Sequence, residues 1–261
     1  MVAKMHRMHL PEVGEGVIHM PGGVPFEAHD APLPYPAGSF MRLGNKEFIY
    51  AIAGGDVIPD MGAMNSYKQK VVRAHCAVEV AAGSMVVGIT PDSDSGLAWT
   101  EGVAENELKG GEFIAYPGDN NTFIRGIVSN TVIPAGSGTI YITLDSPTPV
   151  ILPADKWCEC IRNPYGAVKE NQGAWAMVMG MPTVVATVGQ GLWLQVSGPS
   201  WAAPAADLGS EANNQEAVFV GSGSVALRST AGNEDCQHAG VCIALAAAER
   251  GSMFLMLQIA H

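Results

Sequence analysis

The sequence predicts an all-β protein: an antiparallel β-sandwich or barrel body, with room for two lobes, behind an extended proline-rich N-terminal arm. Three observations carry that expectation. Gly (31) and Pro (17) punctuate the whole 261-residue chain, and only 15% of its residues are charged, a composition ill suited to a helical bundle. Between these turn formers lie short runs rich in Val, Ile, Thr and aromatics, the pattern of antiparallel strands. With 48% hydrophobic residues, the chain can bury a substantial core.

Residues 1–43 read as the arm. Six prolines lie between Pro11 and Pro36, and the apolar residues show no sustained period. Proline fixes φ and removes a ladder donor, so the segment is expected to be extended rather than sheet or helix. Its apolar side chains, above all Phe26, Leu33, Tyr35 and Phe40, suit docking in the grooves of a neighbouring subunit or another partner. The plainer alternative is a solvated tail.

Residues 44–261 read as the β-rich body. Its runs include EFIYAIA, KVVRAHCAVEV, SMVVGIT, EFIAY, TFIRGIVS, TIYITL, LWLQV, AVFV, VCIALA and MFLMLQI. The turn-rich stretch 147–157 (PTPVILPADKW) is the expected division between lobes. Only 101–109, 154–162 and the Ala-rich 243–250 could form helical turns, and the last could equally be a buried strand.

One internal similarity stands out. AGSMVVGITPDS (82–93) and AGSGTIYITLDS (135–146) match at Ala, Gly, Ser, Ile, Thr, Asp and Ser in the same spacing, and GSMFLMLQI (251–259) echoes the start of the first. Each reads as a glycine turn feeding a strand. The favoured expectation is that hairpins reuse the same turn chemistry, and the alternative is two related β units.

Charge and hydropathy narrow the partners. Fourteen Lys plus Arg against 25 Asp plus Glu give a formal charge of −11, which repels a phosphate backbone, so nucleic acid is not an expected partner. The best apolar run, 174–188, is broken by Gly180 and Pro182, so no membrane span is expected. The N-terminal MVAKMHRMHLPEVGEG carries basic residues without a following apolar segment and does not read as a secretory signal. Five irregularly spaced cysteines (Cys76, Cys158, Cys160, Cys236, Cys242) are expected to be free thiols.

Catalytic signatures are missing: the chain has no G-x-S-x-G, G-x-x-x-x-G-K-[ST], H-E-x-x-H, C-x-x-C or G-x-G-x-x-G. Neither enzyme activity nor a cofactor is therefore expected. His6 with His9, Cys158 with Cys160, and Cys236, His238 and Cys242 are the metal-like spacings, but only the last places three ligands together and it lacks a fourth. No metal is expected. Asp92 and Asp94 before Gly96 resemble the start of a calcium loop, yet its twelfth position is Val103 rather than a glutamate. That loop and GDNN (118–121) read as solvated turns. Of the five tryptophans, Trp193 and Trp201 flank QVSGPS and are the candidates for an exposed stacking pair, with core filling as the alternative.

Several segments together resemble the decoration or cement proteins of tailed-bacteriophage heads: FIYAIAGGDVI (48–58), KGGEFIAYPGDN (109–120), RNPYGAV (162–168), GLWLQVSGPSW (191–201) and AGVCIALAAAERGSMFLMLQI (239–259). The resemblance covers most of the chain after Gly44 and consists of turn-and-strand patterns. It implies a mainly β subunit, commonly a homotrimer or other homo-oligomer, made in the host cytoplasm. Such a subunit binds the major capsid protein on the outside of the shell and stabilises it, and the resemblance supplies no active-site residues. A weakly charged, Gly-, Ala- and Val-rich surface suits permanent interfaces independently of it. A β-rich tail adhesin or carbohydrate-binding module is the alternative, with a hydrolase on a β scaffold behind it. A major capsid protein would need a long spine helix that the periodicity does not provide.

Overall fold

The computed structural model describes residues 26–59, 61–65, 71–93, 100–118, 121–136, 138–170, 176–205, 215–229, 232–244 and 253–259. Fifteen strands, numbered in chain order, lie in these residues, and every ladder between them is antiparallel. The expected all-β class is therefore observed. The chain forms two units, one made of Met1–Tyr67 with Tyr165–His261 and the other of Lys68–Pro164. The second is an insertion, so the stretch expected to divide two lobes, 147–157, lies inside it rather than at a boundary.

The discontinuous unit contains β1 (Phe40–Leu43), β2 (Lys46–Ile52), β3 (Ala63–Met64), β10 (Val178–Pro182), β11 (Gly191–Ala202), β12 (Glu216–Phe219), β13 (Val225–Leu227), β14 (His238–Ala244) and β15 (Met253–Gln258). Its sheet runs β1-β2-β11-β15-β14-β12-β13, with β10 and β3 branching from β11. The twelve-residue β11 is the spine. It pairs first with β2, from Gly191↔Ile52 to Ser197↔Glu47, and then with β15, from Ser197↔Gln258 to Ala202↔Met253.

Part of the expected arm belongs to this unit. His29 and Gly191 exchange backbone hydrogen bonds of 2.8 and 2.9 Å, and the Tyr50 N–H donates to the Ser39 carbonyl at 2.8 Å. Residues 40–43 pair with 46–49 as β1. Tyr35, Met41, Phe48, Tyr50 and Trp193 form one buried cluster, with Leu33 packed against it. Tyr35 and Leu33 thus fill their own chain's core, and the expected boundary at 43/44 has no counterpart. Residues 1–25 of the arm lie outside the described residues. Each aromatic ring in such a cluster removes a large apolar area from water, which outweighs the ordering of the proline-rich chain.

The inserted unit is a closed barrel of β4 (Val71–Cys76), β5 (Val86–Pro91), β6 (Glu112–Ala115), β7 (Phe123–Asn130), β8 (Ile140–Leu144) and β9 (Trp157–Ile161), in the order β4-β5-β8-β7-β6-β9. Its interior holds Val72, Ala74, Cys76, Val87, Ile89, Phe113, Ala115, Ile127, Ile140, Ile142, Leu144, Cys158 and Cys160. Alternate residues of each strand point inward, and closure leaves no unpaired edge.

The barrel register decides between the two readings of the internal similarity. The two matching segments form β5 and β8, which pair directly, and the self-equivalent positions Gly88 and Tyr141 face each other. On the opposite side Phe113 faces Cys160. A rotation about the axis through these two pairs exchanges β5 with β8, β4 with β7 and β6 with β9. It carries Ala74↔Pro91 onto Ile127↔Leu144 and Arg73↔Glu159 onto Gly126↔Glu112. Even the loop bridge Val80↔Leu152 has its image in Ile133↔Val103. Reused turn chemistry accounts for the glycines Gly83 and Gly136, at φ +88° and +79°, but not for a shared pairing scheme around a whole barrel. The insert is two related three-stranded units. The third strand of each lies between the outer strands of the other, β6 between β7 and β9, and β9 between β4 and β6.

The expected helical turns are corrected here. Among the described residues only Thr100 and Glu101 are α-helical. Residues 104–108 instead form a turn clamped by the buried Asn130, whose Oδ1 accepts from the Leu108 N–H and whose Nδ2 donates to the Ala104 carbonyl, both at 2.8 Å. Segment 154–162 contains β9, where Cys158 and Cys160 point inward and Trp157 outward. That two-residue alternation outweighs its helical propensity. Of 243–250, the first two residues end β14 and the rest lie outside the described residues.

Candidate interaction surface

The outer face of β11 carries the most distinctive surface of the discontinuous unit. Trp193 and Trp201, eight positions apart, lie on this face of the strand. The register shifts between Gln195 and Ser197, and Gly198 takes φ +90°. The buried Gln195 holds this bulge: its Nε2 donates to the carbonyls of Ser197, Gly198 and Pro199 at 3.1, 3.3 and 2.9 Å. The bulge shifts the register with β2 but leaves the faces of β11 unchanged: Leu192, Leu194, Val196 and Ala202 all join the core on one side. On the other side Trp193 is buried because Leu33, Tyr35 and Met41 pack over it, with its ring 5.1 Å from Tyr50 and 5.2 Å from Tyr35, while Trp201 is 38% exposed. The two tryptophans expected as a stacking pair thus share a face but lie about 25 Å apart along the strand, one covered and one open.

Trp201 has another partner. Across β11 and β15 it is registered with Phe254, which is 49% exposed, and Pro199 is registered with Met256. Met256 is registered in turn with Val241 on β14. Trp201, Phe254, Met256, Val241 and Ile243 together form an outward apolar patch across three adjacent strands, and the intervening Leu255, Leu257 and Cys242 fill the core beneath. β-Strand alternation explains the inner row; the outer apolar row leaves water-exposed area that a lone soluble sheet face would ordinarily cover with polar groups.

One side of the patch carries a polar rim. His238 Nδ1 lies 3.1 Å from Glu216 Oε1 and its Nε2 lies 3.5 Å from Gln258 Oε1. Glu216 is also in charge contact with the Arg228 guanidinium at 3.2 Å. An apolar centre beside a polar border is the anatomy of a protein contact surface. Phe254 and Met256 belong to it, and sequence reading missed both. Their signal was the strict alternation of MFLMLQI, which places one apolar residue in two on the solvent side.

The remaining candidates are dispersed. Phe26 is 58% exposed and Phe40 43%, so these two arm residues remain available for contact, whereas Tyr35 and Trp193 do not. Trp157 is half-exposed with its ring 4.1 Å from His75, and Trp99 and Trp175 lie outside the described residues. None of the five cysteines is in a disulfide. Cys242 is buried and His238 engages Glu216, and among the described residues no group of three or more His, Cys, Asp or Glu side chains is placed to hold a metal ion. His6, His9, Asp94, Gly96, Asp119 and Asn120 fall outside the described residues. No described helix is long and apolar enough to cross a membrane. The chain matches no family model, no curated protein and no solved structure at a significant level.

Proposed function

We propose that this chain is a virion structural protein, a decoration or cement subunit that binds the major capsid protein on the outside of a phage shell and stabilises it. The observation that carries the reading is the apolar patch of Trp201, Phe254, Met256, Val241 and Ile243 on a rigid sheet face. Aromatic and methionine side chains on well-ordered strands give contact area at low entropic cost, as interface cores require. The resemblance of five segments to head decoration proteins supports the same reading. In it the protein works by binding rather than catalysis, needs no cofactor, assembles as a homotrimer and leaves the host cytoplasm on the virion. Its net charge of −11 keeps the free subunit soluble and offers nothing to the packaged genome.

The test is sedimentation of purified heads with added protein. Saturable binding in fixed proportion to the shell subunit is expected, and a Trp201→Ser, Phe254→Ser double variant that keeps its fold should bind at least tenfold more weakly. Failure to bind at any concentration would overturn the reading. A second reading, a glycan-binding adhesin, draws on the Trp201 and Phe254 pairing, since adjacent exposed rings can stack on sugars. Glycan-array binding abolished by the same variant would favour it.

A further inference from the structure

The discontinuous unit also contains a cleft of about 280 Å³, away from any role assigned above. Its walls are apolar, from Met64 on β3, Val178 on β10, Phe219 on β12 and the adjoining Val220. Its shape is held by Gln237, whose Oε1 accepts from the Val178 N–H at 2.7 Å and whose Nε2 donates to the Val178 carbonyl at 2.9 Å. A side-chain amide thus completes the strand edge and fixes one wall. Among the described residues the lining carries a single charge, the exposed Asp235 carboxylate, with Glu234 next to it in sequence, and no basic side chain. An apolar trough with acidic side chains at its rim suits a ligand with apolar side chains and positive charge.

The chain itself contains such a segment. Residues 1–10, MVAKMHRMHL, combine three methionines, a valine and a leucine with Lys4, Arg7, His6 and His9, and the first acidic residue is Glu12. This is a basic stretch in a protein whose overall charge is −11. Methionine side chains adapt to irregular apolar clefts. The geometry of attachment permits the contact: Phe26 is anchored on the same unit as the cleft, and the intervening residues 11–25 reach up to about 50 Å when extended. A unit of this size is roughly 40 Å across, so the segment can reach most of its surface. Tethering at that range gives an effective concentration on the order of millimolar, well above that of other copies in dilute solution.

We propose that residues 1–10 dock intramolecularly in the cleft bounded by Met64, Val178, Phe219 and Val220, with Lys4 and Arg7 facing Asp235 and Glu234. This does not rest on the capsid reading. It assigns the start of the chain to its own body, where the arm was expected to reach a neighbour.

Photo-crosslinking in the full chain tests it. A benzophenone side chain installed in place of Met5 should, on irradiation, form a bond to peptides containing Phe219, Val220 or Cys236, identified by mass spectrometry. A tenfold dilution should leave the yield per chain unchanged. Combining the probe with Lys4→Glu and Arg7→Glu should lower the yield at least fivefold, as should raising the salt to screen the charges. Crosslinks confined to other surfaces, or a yield indifferent to charge reversal, would overturn the proposal. A yield that falls in proportion to dilution would place a neighbour's segment in the cleft and overturn intramolecular docking.

Discussion

Gly88 and Tyr141 face each other across β5 and β8, and they occupy the same position in two copies of one sequence pattern. Where one copy has a ring the other has no side chain. A Cβ built on Gly88 would lie 3.2 Å from Tyr141 Cε1, so the ring covers the glycine. The two copies thus differ at the one position where each meets the other's equivalent residue.

This contact sets the first prediction. Because Tyr141 is half-exposed and its ring can shift, Gly88→Ala should change stability by less than about 1 kcal/mol, the lost contact offsetting the gain in strand propensity. Gly88→Leu should cost roughly 1–3 kcal/mol, and much less in a Tyr141→Ala background. Denaturant melts of the four proteins give the coupling. Equal costs in the two backgrounds would show that the ring does not restrict the site.

The second prediction concerns the aromatic cluster. Tyr50 is fully buried, and among the described residues its hydroxyl has no hydrogen-bond partner. Removing an unpaired buried polar group relieves its desolvation, so Tyr50→Phe should be neutral or stabilise the protein by up to about 2 kcal/mol. Tyr35→Ala, which empties the same cluster, should cost about 3 kcal/mol. Deleting residues 1–36 should destabilise the fold similarly, whereas deleting residues 1–25 leaves the cluster intact. Thermal melts distinguish the two truncations.

The third prediction follows from the barrel thiols. Burial pushes the Cys158 thiol up to about 12 from an ordinary 9.0, and burial likewise raises Cys160 and Cys76. The folded state therefore keeps protons that the unfolded state releases. That contribution is complete below pH 9 and is lost as pH rises toward 12, on the order of 2 kcal/mol from Cys158 by pH 11. Melting temperature measured from pH 8 to 11 should fall, and fall less steeply in Cys158→Ala once its lower starting value is subtracted. An unchanged slope would show that these thiols do not govern alkaline unfolding.

The fourth prediction separates surface from core on one strand. Trp201→Ala should leave the melting temperature within a few degrees of the wild type, because the ring is partly exposed. Trp193→Ala should cost about 3–5 kcal/mol. Comparable losses at both positions would mean that Leu33, Tyr35 and Met41 do not cover Trp193.

Local chemistry determined much of this protein. Glycine and proline punctuation between β-branched runs dictates strands, and the repeated AGS turns mark where β5 and β8 begin, although turn chemistry alone favours a simple reuse of hairpin turns over related units. The alternation of WCECI specifies an inward and an outward row, although a helical reading of 154–162 competed with it. These signals are legible because side-chain direction and turn conformation depend on near neighbours in sequence.

Pairing between distant segments was decided only by the tertiary structure. The third strands change places between the halves of the barrel, residues 26–43 return to their own sheet, and the barrel interrupts a unit that resumes at Tyr165. The returning residues 33–41 cover Trp193 toward one end of β11 and leave Trp201 exposed beside Phe254 at the other. Each of these outcomes depends on backbone hydrogen bonds, which any residue can accept and any but proline can donate. Strand sequence therefore specifies which face is apolar, while the choice of neighbour is settled by how whole faces bury one another.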